Sequence, residues 1–138
     1  DSGKTFLRSC STADVTTWSS EAGGGALENY GTGDSERTTI VAYQGRILVV
    51  PHDRQKIGYA DVSGTSISNF NVVDVSSITS GDNLRDASTD GNTWVICAQD
   101  GLLLKSTDDA VNWSVAATAI RNSTDDIRCI AANVHLPQ

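Results

Sequence analysis

Short apolar stretches of this sequence recur in a fixed order, at a spacing of about 43 residues. Arg85 precedes Trp94 by nine residues, just as Arg37 precedes Arg46, and an apolar run begins at or after the second residue of each pair. Arg128 belongs to a third copy, 43 residues after Arg85. A repeat of this length is one supersecondary unit, which stacks on its neighbours because it cannot bury its apolar face alone. The period therefore predicts a repeat architecture.

The repeated segments have the pattern of short strands. No window sustains apolar residues at helical spacing, and the abundant Ser, Thr, Gly, Asp and Val disfavour helices. The intervening turns contain Gly, Asp or Asn. The predicted strands are Arg37–Tyr43, Arg46–Pro51, Lys56–Asp61, Asn69–Val75, Leu84–Ser88, Trp94–Ala98, Leu102–Ser106, Asn112–Ala116 and Ile127–Ala132.

Four such strands fall within each period. Trp113 follows Phe70 by 43 residues, and Phe70 follows Trp18 by 52. A period of this length with four short strands is typical of one blade of a β-propeller. The sequence therefore predicts an all-β fold, a partial β-propeller built from four-stranded antiparallel blades.

The blade boundaries follow from the same period. Residues 1–36 are predicted to hold the end of one blade and a Gly-rich connector, 37–79 and 80–121 one complete blade each, and 122–138 the start of a further blade. A propeller closes when its last blade meets its first, and an open terminal sheet exposes apolar surface. We therefore expect the 138 residues to be a piece of a longer polypeptide, or to be completed by copies of itself or by partner subunits.

The predicted core consists of apolar residues on these strands, with two Trp side chains anchoring the outer strands. The core residues are Ile40, Leu48, Val50, Ile57, Val73, Leu84, Val95, Cys97, Leu103 and Ile130, and the anchors are Trp113 and Trp18.

A polar turn runs into a Trp at two places. "STDDAVNW" (106–113) and "STADVTTW" (11–18) have the same spacing from Ser to Trp. Both resemble the Asp-box of the BNR repeat family, whose pattern is Ser-x-Asp-x-Gly-x-x-Trp. The residues that match this pattern, or stand next to a matching position, are Ser106, Asp108, Trp113, Ser11, Asp14 and Trp18.

The physical chemistry of such a turn agrees with the resemblance. A carboxylate and a Ser hydroxyl can both accept hydrogen bonds from backbone N–H groups that follow them in a turn. The Trp on the returning strand can then bury its apolar ring against the sheet. The resemblance thus implies a β-propeller in which these Asp residues hold turns and do not catalyse a reaction.

The two boxes depart from the family pattern. Ala110 and Val15 replace the glycine, and Ala13 occupies the aspartate position of the first copy, beside Asp14. A shorter look-alike, "STDGNTWV" (88–95), lies where the second strand of a blade is expected to begin. Its Trp94 is a candidate for an aromatic side chain that faces a ligand between blades.

Composition excludes several classes of function. The chain has 17 acidic and 10 basic residues, a net charge of -7, and the basic residues are scattered. Nucleic-acid binding requires clustered Lys and Arg, so we expect no nucleic-acid partner. No apolar run approaches the roughly 18 residues of a membrane span, so we expect no membrane insertion.

No motif for catalysis or for a metal stands out. The three Cys lie far apart and form no C-x-x-C pair, and no nucleophile lies near a base. A sialidase-like glycosidase would need several arginines and a Tyr nucleophile, assembled from many blades. We therefore expect a protein that is not an enzyme, with no catalytic residues, no cofactor and no metal.

The favoured function is a structural or adhesive propeller module of a larger assembly. Degenerate Asp-boxes in a chain rich in Ser, Thr, Asp and Gly resemble surface and tail components of bacteriophages, so the expected location is a virion or an extracellular surface. The expected partners are other protein subunits, copies of the chain itself or surface glycans. The alternatives are a carbohydrate-binding, lectin-like propeller, a BNR-type assembly factor and a glycosidase fragment.

Overall fold

The computed structural model describes residues 38–52, 54–116, 127–128 and 130–132. These residues form two four-stranded antiparallel sheets, and in each sheet the strands are neighbours in chain order. Sheet one contains β1 (Thr38–Tyr43), β2 (Arg46–Pro51), β3 (Lys56–Ser63) and β4 (Ser66–Asp74). Sheet two contains β5 (Leu84–Thr89), β6 (Trp94–Ala98), β7 (Leu103–Ser106) and β8 (Ser114–Val115). The predicted all-β class is confirmed for this part of the chain.

Left-handed residues close the tight turns. Gln44 and Gly45 join β1 to β2 with φ of 43° and 85°, the combination that a two-residue hairpin turn requires because it matches the twist of the strands. The helix α1 (Ser76–Thr79) and a left-handed pair, Ser80 and Gly81, lie between the two sheets along the chain. A short 3₁₀ turn, Gln99–Gly101, connects β6 to β7.

One face of each sheet supplies the main core. Leu48, Val50 and Ile57 of sheet one pack in one buried cluster with the apolar residues of sheet two. On sheet two this face carries Trp94, Ile96 and Leu104. Burial is confirmed for five predicted core residues, Leu48, Val50, Ile57, Leu84 and Cys97.

In the main core, β6 and β7 bury the side chains next to the ones that were predicted. Val95 and Leu103 were expected in the core but are only half-buried, whereas Ile96 and Leu104 are fully buried. Successive side chains of a strand point to opposite faces, so an error of one residue exchanges the core face for the other face. The runs "WVICA" and "LLLK" are apolar at adjacent positions, and sequence alone cannot assign their phase.

None of the other predicted core and anchor residues is found fully buried among the described residues. Ile40 is 54% exposed on the edge strand β1, so its assignment to the core is wrong. Val73, Trp113 and Ile130 are half-buried. Trp18 lies outside the described residues.

Strand boundaries also differ from the prediction in places. β3 extends to Ser63 and β4 begins at Ser66, whereas β8 contains only Ser114 and Val115. The described residues of the predicted strand Ile127–Ala132 are not in a strand. Instead, the N–H groups of Ile130 and Ala132 donate to side chains of β5. Side-chain acceptors replace the backbone ladder there.

Sheet one is apolar on its second face as well. Val49, between Leu48 and Val50 in the chain, points to the opposite side and is fully buried. It packs against Ile67, Phe70 and Val72. A sheet with one solvated face would show polar residues there.

The core assignment predicts a contrast between two apolar residues. Leu104→Ala should lower the free energy of unfolding by about 2–5 kcal/mol, because Leu104 is fully buried between the sheets. The exposed Val115 of β8 is the control, and Val115→Ala should cost less than about 1 kcal/mol. Urea denaturation measures both values. Equal losses for the two variants would contradict this packing.

Candidate functional site

We call the turn between β7 and β8, residues 106–113, the Asp-box turn, after the motif that its sequence resembles. It begins at Ser106, whose side chain is almost completely buried. The Ser106 hydroxyl donates to Asp108 Oδ1 at 2.8 Å and accepts the N–H of Ala110 at 3.1 Å. A small hydroxyl side chain is suited to this position because it can bond to two neighbours within one tight turn.

Asp108 holds the second half of the turn. Its Oδ1 accepts the backbone N–H of Asn112 at 2.9 Å, and its Oδ2 accepts the Asn112 side-chain amide at 2.6 Å. These two bonds, followed by the Ser106 hydroxyl, lower the pKa of Asp108 to about 2 because they favour the charged form. The carboxylate is therefore ionised at any ordinary pH.

Trp113 completes the turn. Its indole Nε1 donates to the Ala110 carbonyl at 3.1 Å, and its half-buried ring packs against the main core. The structure thus brings Ser106, Asp108 and Trp113 into one turn. The candidate residues Ser11, Asp14 and Trp18 lie outside the described part of the chain.

The middle of the turn is left-handed. Asp109 and Ala110 have φ of 61° and 67°, values that cost free energy for any residue with a Cβ. The BNR repeat pattern that this turn resembles has glycine at the position of Ala110. Ala110 is fully buried in the main core, so its methyl group offsets part of this cost with apolar contact.

Arg46 of sheet one connects the Asp-box turn, which belongs to sheet two, with sheet one. Its guanidinium forms salt bridges with Asp61 at 2.7 Å and with Asp109 at 2.8 Å, and it lies over the Tyr59 ring at 5.1 Å from the centroid. The Arg46 side chain is only 15% exposed, but the two carboxylates are more open to solvent. Sequence patterns gave no signal for this contact, since 63 residues separate Arg46 from Asp109.

The turn between β5 and β6 uses the same chemistry. Asp90 Oδ1 accepts the N–H groups of Asn92 and Thr93 at 2.9 and 2.7 Å, and these bonds, the Thr93 bond first, lower the Asp90 pKa. The Thr89 hydroxyl accepts the Gly91 N–H and donates to the Thr93 carbonyl. The string "STDGNTWV" was the signal for this turn, although its spacing differs from that of the Asp-box.

Gly91 allows this turn to lie against sheet one. Its φ is 96°, and a Cβ at this position would lie 2.6 Å from ring atoms of Tyr43. Tyr43 stands at the end of β1, next to the hairpin turn of sheet one. The close approach therefore requires a glycine, and it brings together turns from both sheets.

Trp94 does not face a ligand site. It is 2% exposed and belongs to the core between the two sheets. The expectation of a ligand-facing aromatic at this position is wrong. The cause is the alternation of β6, which turns Trp94 and Ile96 to the same face.

A second set of polar contacts joins β1, β5 and the segment 130–132. The Thr39 hydroxyl donates to Asp86 Oδ1 at 3.0 Å, and Asp86 Oδ2 accepts the Ile130 N–H at 3.0 Å. We call this pair of contacts the Asp86 bridge. Next to it, the Ser88 hydroxyl accepts the Ala132 N–H at 2.9 Å.

His52 also contacts the Asp86 bridge. Its Nε2 lies 3.1 Å from the Thr39 hydroxyl oxygen. A hydroxyl has one proton to donate, and Thr39 donates it to Asp86. Thr39 thus links His52, the residue after β2, to Asp86 of β5.

An open groove of about 220 Å³ lies beside the Asp-box turn, lined by residues 105–108 and 112–114. Within the described ranges no group of three His, Cys, Asp or Glu side chains is placed to hold a metal ion. The described residues also contain no helix that is long and apolar enough to cross a membrane.

Comparison of the chain with protein-family models, with curated proteins and with solved structures found no match.

The charge of Asp108 predicts a pH-dependent stability. Because folding lowers the pKa of Asp108 from 3.8 to about 2, its stabilising effect is complete above about pH 4 and is lost as the pH falls toward 2. Asp108→Asn should therefore lower the melting temperature at pH 7 and flatten its decline between pH 4 and pH 2. Thermal melts across this range measure both effects.

Asn112→Ala serves as the graded comparison. It removes one side-chain donor to Asp108 but keeps the backbone N–H bond, so its effect should have the same direction and a smaller size. If the Asp108→Asn curve ran parallel to that of the unmodified protein, Asp108 would not hold the turn through its charge.

Proposed function

We propose that this chain contributes blades to a β-propeller and serves as a non-enzymatic structural or adhesive module of a larger assembly. The Asp86 bridge is the observation that carries the proposal. In a propeller the first strand of each blade lies beside the first strand of the next. β1 and β5 are the first strands of their sheets, and Asp86 of β5 contacts both β1 and residue 130.

The spacing along the chain agrees with a repeated contact. Thr39, Asp86 and Ile130 stand at 47 and 44 residues from one another, close to the period that the sequence shows. Residues 130–132 therefore lie beside β5 in the same way that β5 lies beside β1. A third unit that begins near residue 127 is the simplest account of this arrangement.

The two apolar faces of sheet one support a stack of more than two layers. In a two-sheet sandwich the inner faces are apolar and the outer faces polar. The burial of Val49 among Ile67, Phe70 and Val72 on the face away from sheet two does not fit that pattern. A blade in a propeller is covered on both faces by its neighbours, which accounts for apolar residues on both sides.

The polar side chains of the two sites favour a structural role. Ser106 and Asp108 bond to their own turn, as do Thr89 and Asp90. The Thr39 hydroxyl donates to the Asp86 carboxylate, which also accepts the Ile130 N–H. These groups hold the backbone in place.

The larger assembly remains a separate part of the proposal. The composition and the degenerate boxes suggest the surface or tail of a bacteriophage virion, with other subunits or copies of this chain as partners. An antibody specific for this protein tests that location: it should label the surface or tail of the bacteriophage particles, and unlabelled particles would contradict the proposed location.

The propeller proposal predicts self-association. We expect the purified chain to associate so that the second apolar face of sheet one, around Val49, is covered, giving a ring of about four to eight blades. Light scattering gives the mass, and small-angle X-ray scattering gives the ring dimensions. A monomer that is stable and melts cooperatively would contradict the proposal.

The Asp86 bridge predicts a second result. Asp86→Ala removes two hydrogen bonds to a charged group and should lower the free energy of unfolding by about 1–3 kcal/mol. Thr39→Val removes only one of them, so it should cost less, and the two changes should not be additive because they share a contact. Urea denaturation of both single variants and the double variant measures this coupling. Fully additive costs would show that Thr39 and Asp86 do not interact.

A further inference from the structure

We propose that the groove beside the Asp-box turn binds a neutral sugar ring. The inference deepens the adhesive part of the proposed function by naming a ligand class and a site. The groove lies along one hairpin, β7 and β8 with their turn. Its formation therefore does not require a closed ring of blades.

Trp113 supplies the apolar surface of the site. Its ring is half-buried and lines the groove, while its Nε1 already donates to the Ala110 carbonyl. The part of the indole at the groove therefore has no polar group that needs a partner. The C–H face of a pyranose can pack on such a ring, because an indole is a large, flat apolar surface.

The polar lining suits a ligand with hydroxyl groups. Lys105 offers N–H donors and Asp108 offers acceptor oxygens, and exposed Thr107 adds a hydroxyl. Asp108 Oδ2 accepts one bond within the turn, from Asn112, and a carboxylate oxygen can accept two. A sugar hydroxyl both donates and accepts, so it can bond to either kind of group.

The charges favour a neutral ligand. Lys105 and Asp108 line the same groove with opposite charges. An ionic ligand of either sign would meet one attractive and one repulsive charge, since Asp108 keeps its charge down to about pH 2, so the charge of the ligand adds little to its binding. Neutral polar groups pair with both.

The size and rigidity of the groove point to a single sugar residue. Its volume of about 220 Å³ is smaller than the roughly 300–1,000 Å³ of pockets for drug-sized ligands. The turn that bears Asp108 and Trp113 is held by its own hydrogen bonds. A preorganised site loses less conformational entropy on binding, which makes weak but specific binding of a terminal sugar feasible.

The experiment is an NMR titration of the full 138-residue chain with methyl glycosides. The probes are the methyl pyranosides of glucose, galactose and mannose, with N-acetylneuraminic acid as the anionic comparison. At least one neutral glycoside should shift the indole N–H resonance of Trp113 in a saturable way. Trp94, buried between the sheets, is the internal reference and should not shift.

Variants locate the binding. Trp113→Ala should weaken the affinity about tenfold, which corresponds to about 1.4 kcal/mol, and its effect is followed through the backbone amides of residues 105–108. Since this variant could also disturb the turn, Lys105→Gln and Thr107→Ala are tested as well, each with an expected loss of about threefold in affinity. Ser77→Ala, in the exposed part of α1, is the control and should bind as the unmodified chain does.

Two results would overturn the proposal. One is the absence of any saturable shift of Trp113 with the neutral glycosides at tens of millimolar concentration. The other is binding that Lys105→Gln and Thr107→Ala both leave unchanged. Light scattering on the same samples reports ring assembly independently, so a failure of sugar binding is distinguishable from a failure of the propeller proposal.

Discussion

The described structure depends on side chains that accept backbone N–H groups where strands end. A turn leaves N–H groups without ladder partners, and burying them unpaired would be costly. Asp108 and Asp90 each accept N–H groups within their own turn, while Ser106 and Thr89 accept one each. Because these turns are held locally, Arg46, Tyr43 and Gly91 can make contacts between the two sheets at the same end.

Side-chain acceptors also join the first strands of the two sheets. Here they bond to a different element of the chain and not to their own turn. Asp86 accepts a hydroxyl from β1 and a backbone N–H from residue 130, and Ser88 accepts the N–H of Ala132. Side chains here take the place that a neighbouring strand would have in a continuous sheet. This allows separate four-stranded sheets to lie side by side without merging, which is the arrangement that the proposed propeller requires.

Local patterns predicted the parts of the site that lie within one turn. Ser106, Asp108 and Trp113 are within eight residues of one another, so a motif can record their geometry. Trp94 shows where such local prediction fails. It stands in a similar string, yet its side chain points into the core. β6 has apolar residues at adjacent positions, so packing against sheet one decides which of them face the core. Ile40 shows the converse, an apolar residue of a strand that lies 54% exposed at a sheet edge.

Sequence patterns alone predicted the all-β class, the strands in chain order and the hydrogen-bonding chemistry of the Asp-box turn. These features depend on neighbours in the chain, through side-chain alternation and turn residues. The folded chain was needed to show which faces of β6 and β7 form the core, that Arg46 pairs with Asp109, and that Asp86 bonds to Thr39 and Ile130. Each of these contacts joins residues that are far apart in the chain or selects one of two equally apolar faces. Their free energy depends on what lies opposite in space, and no local pattern carries that information.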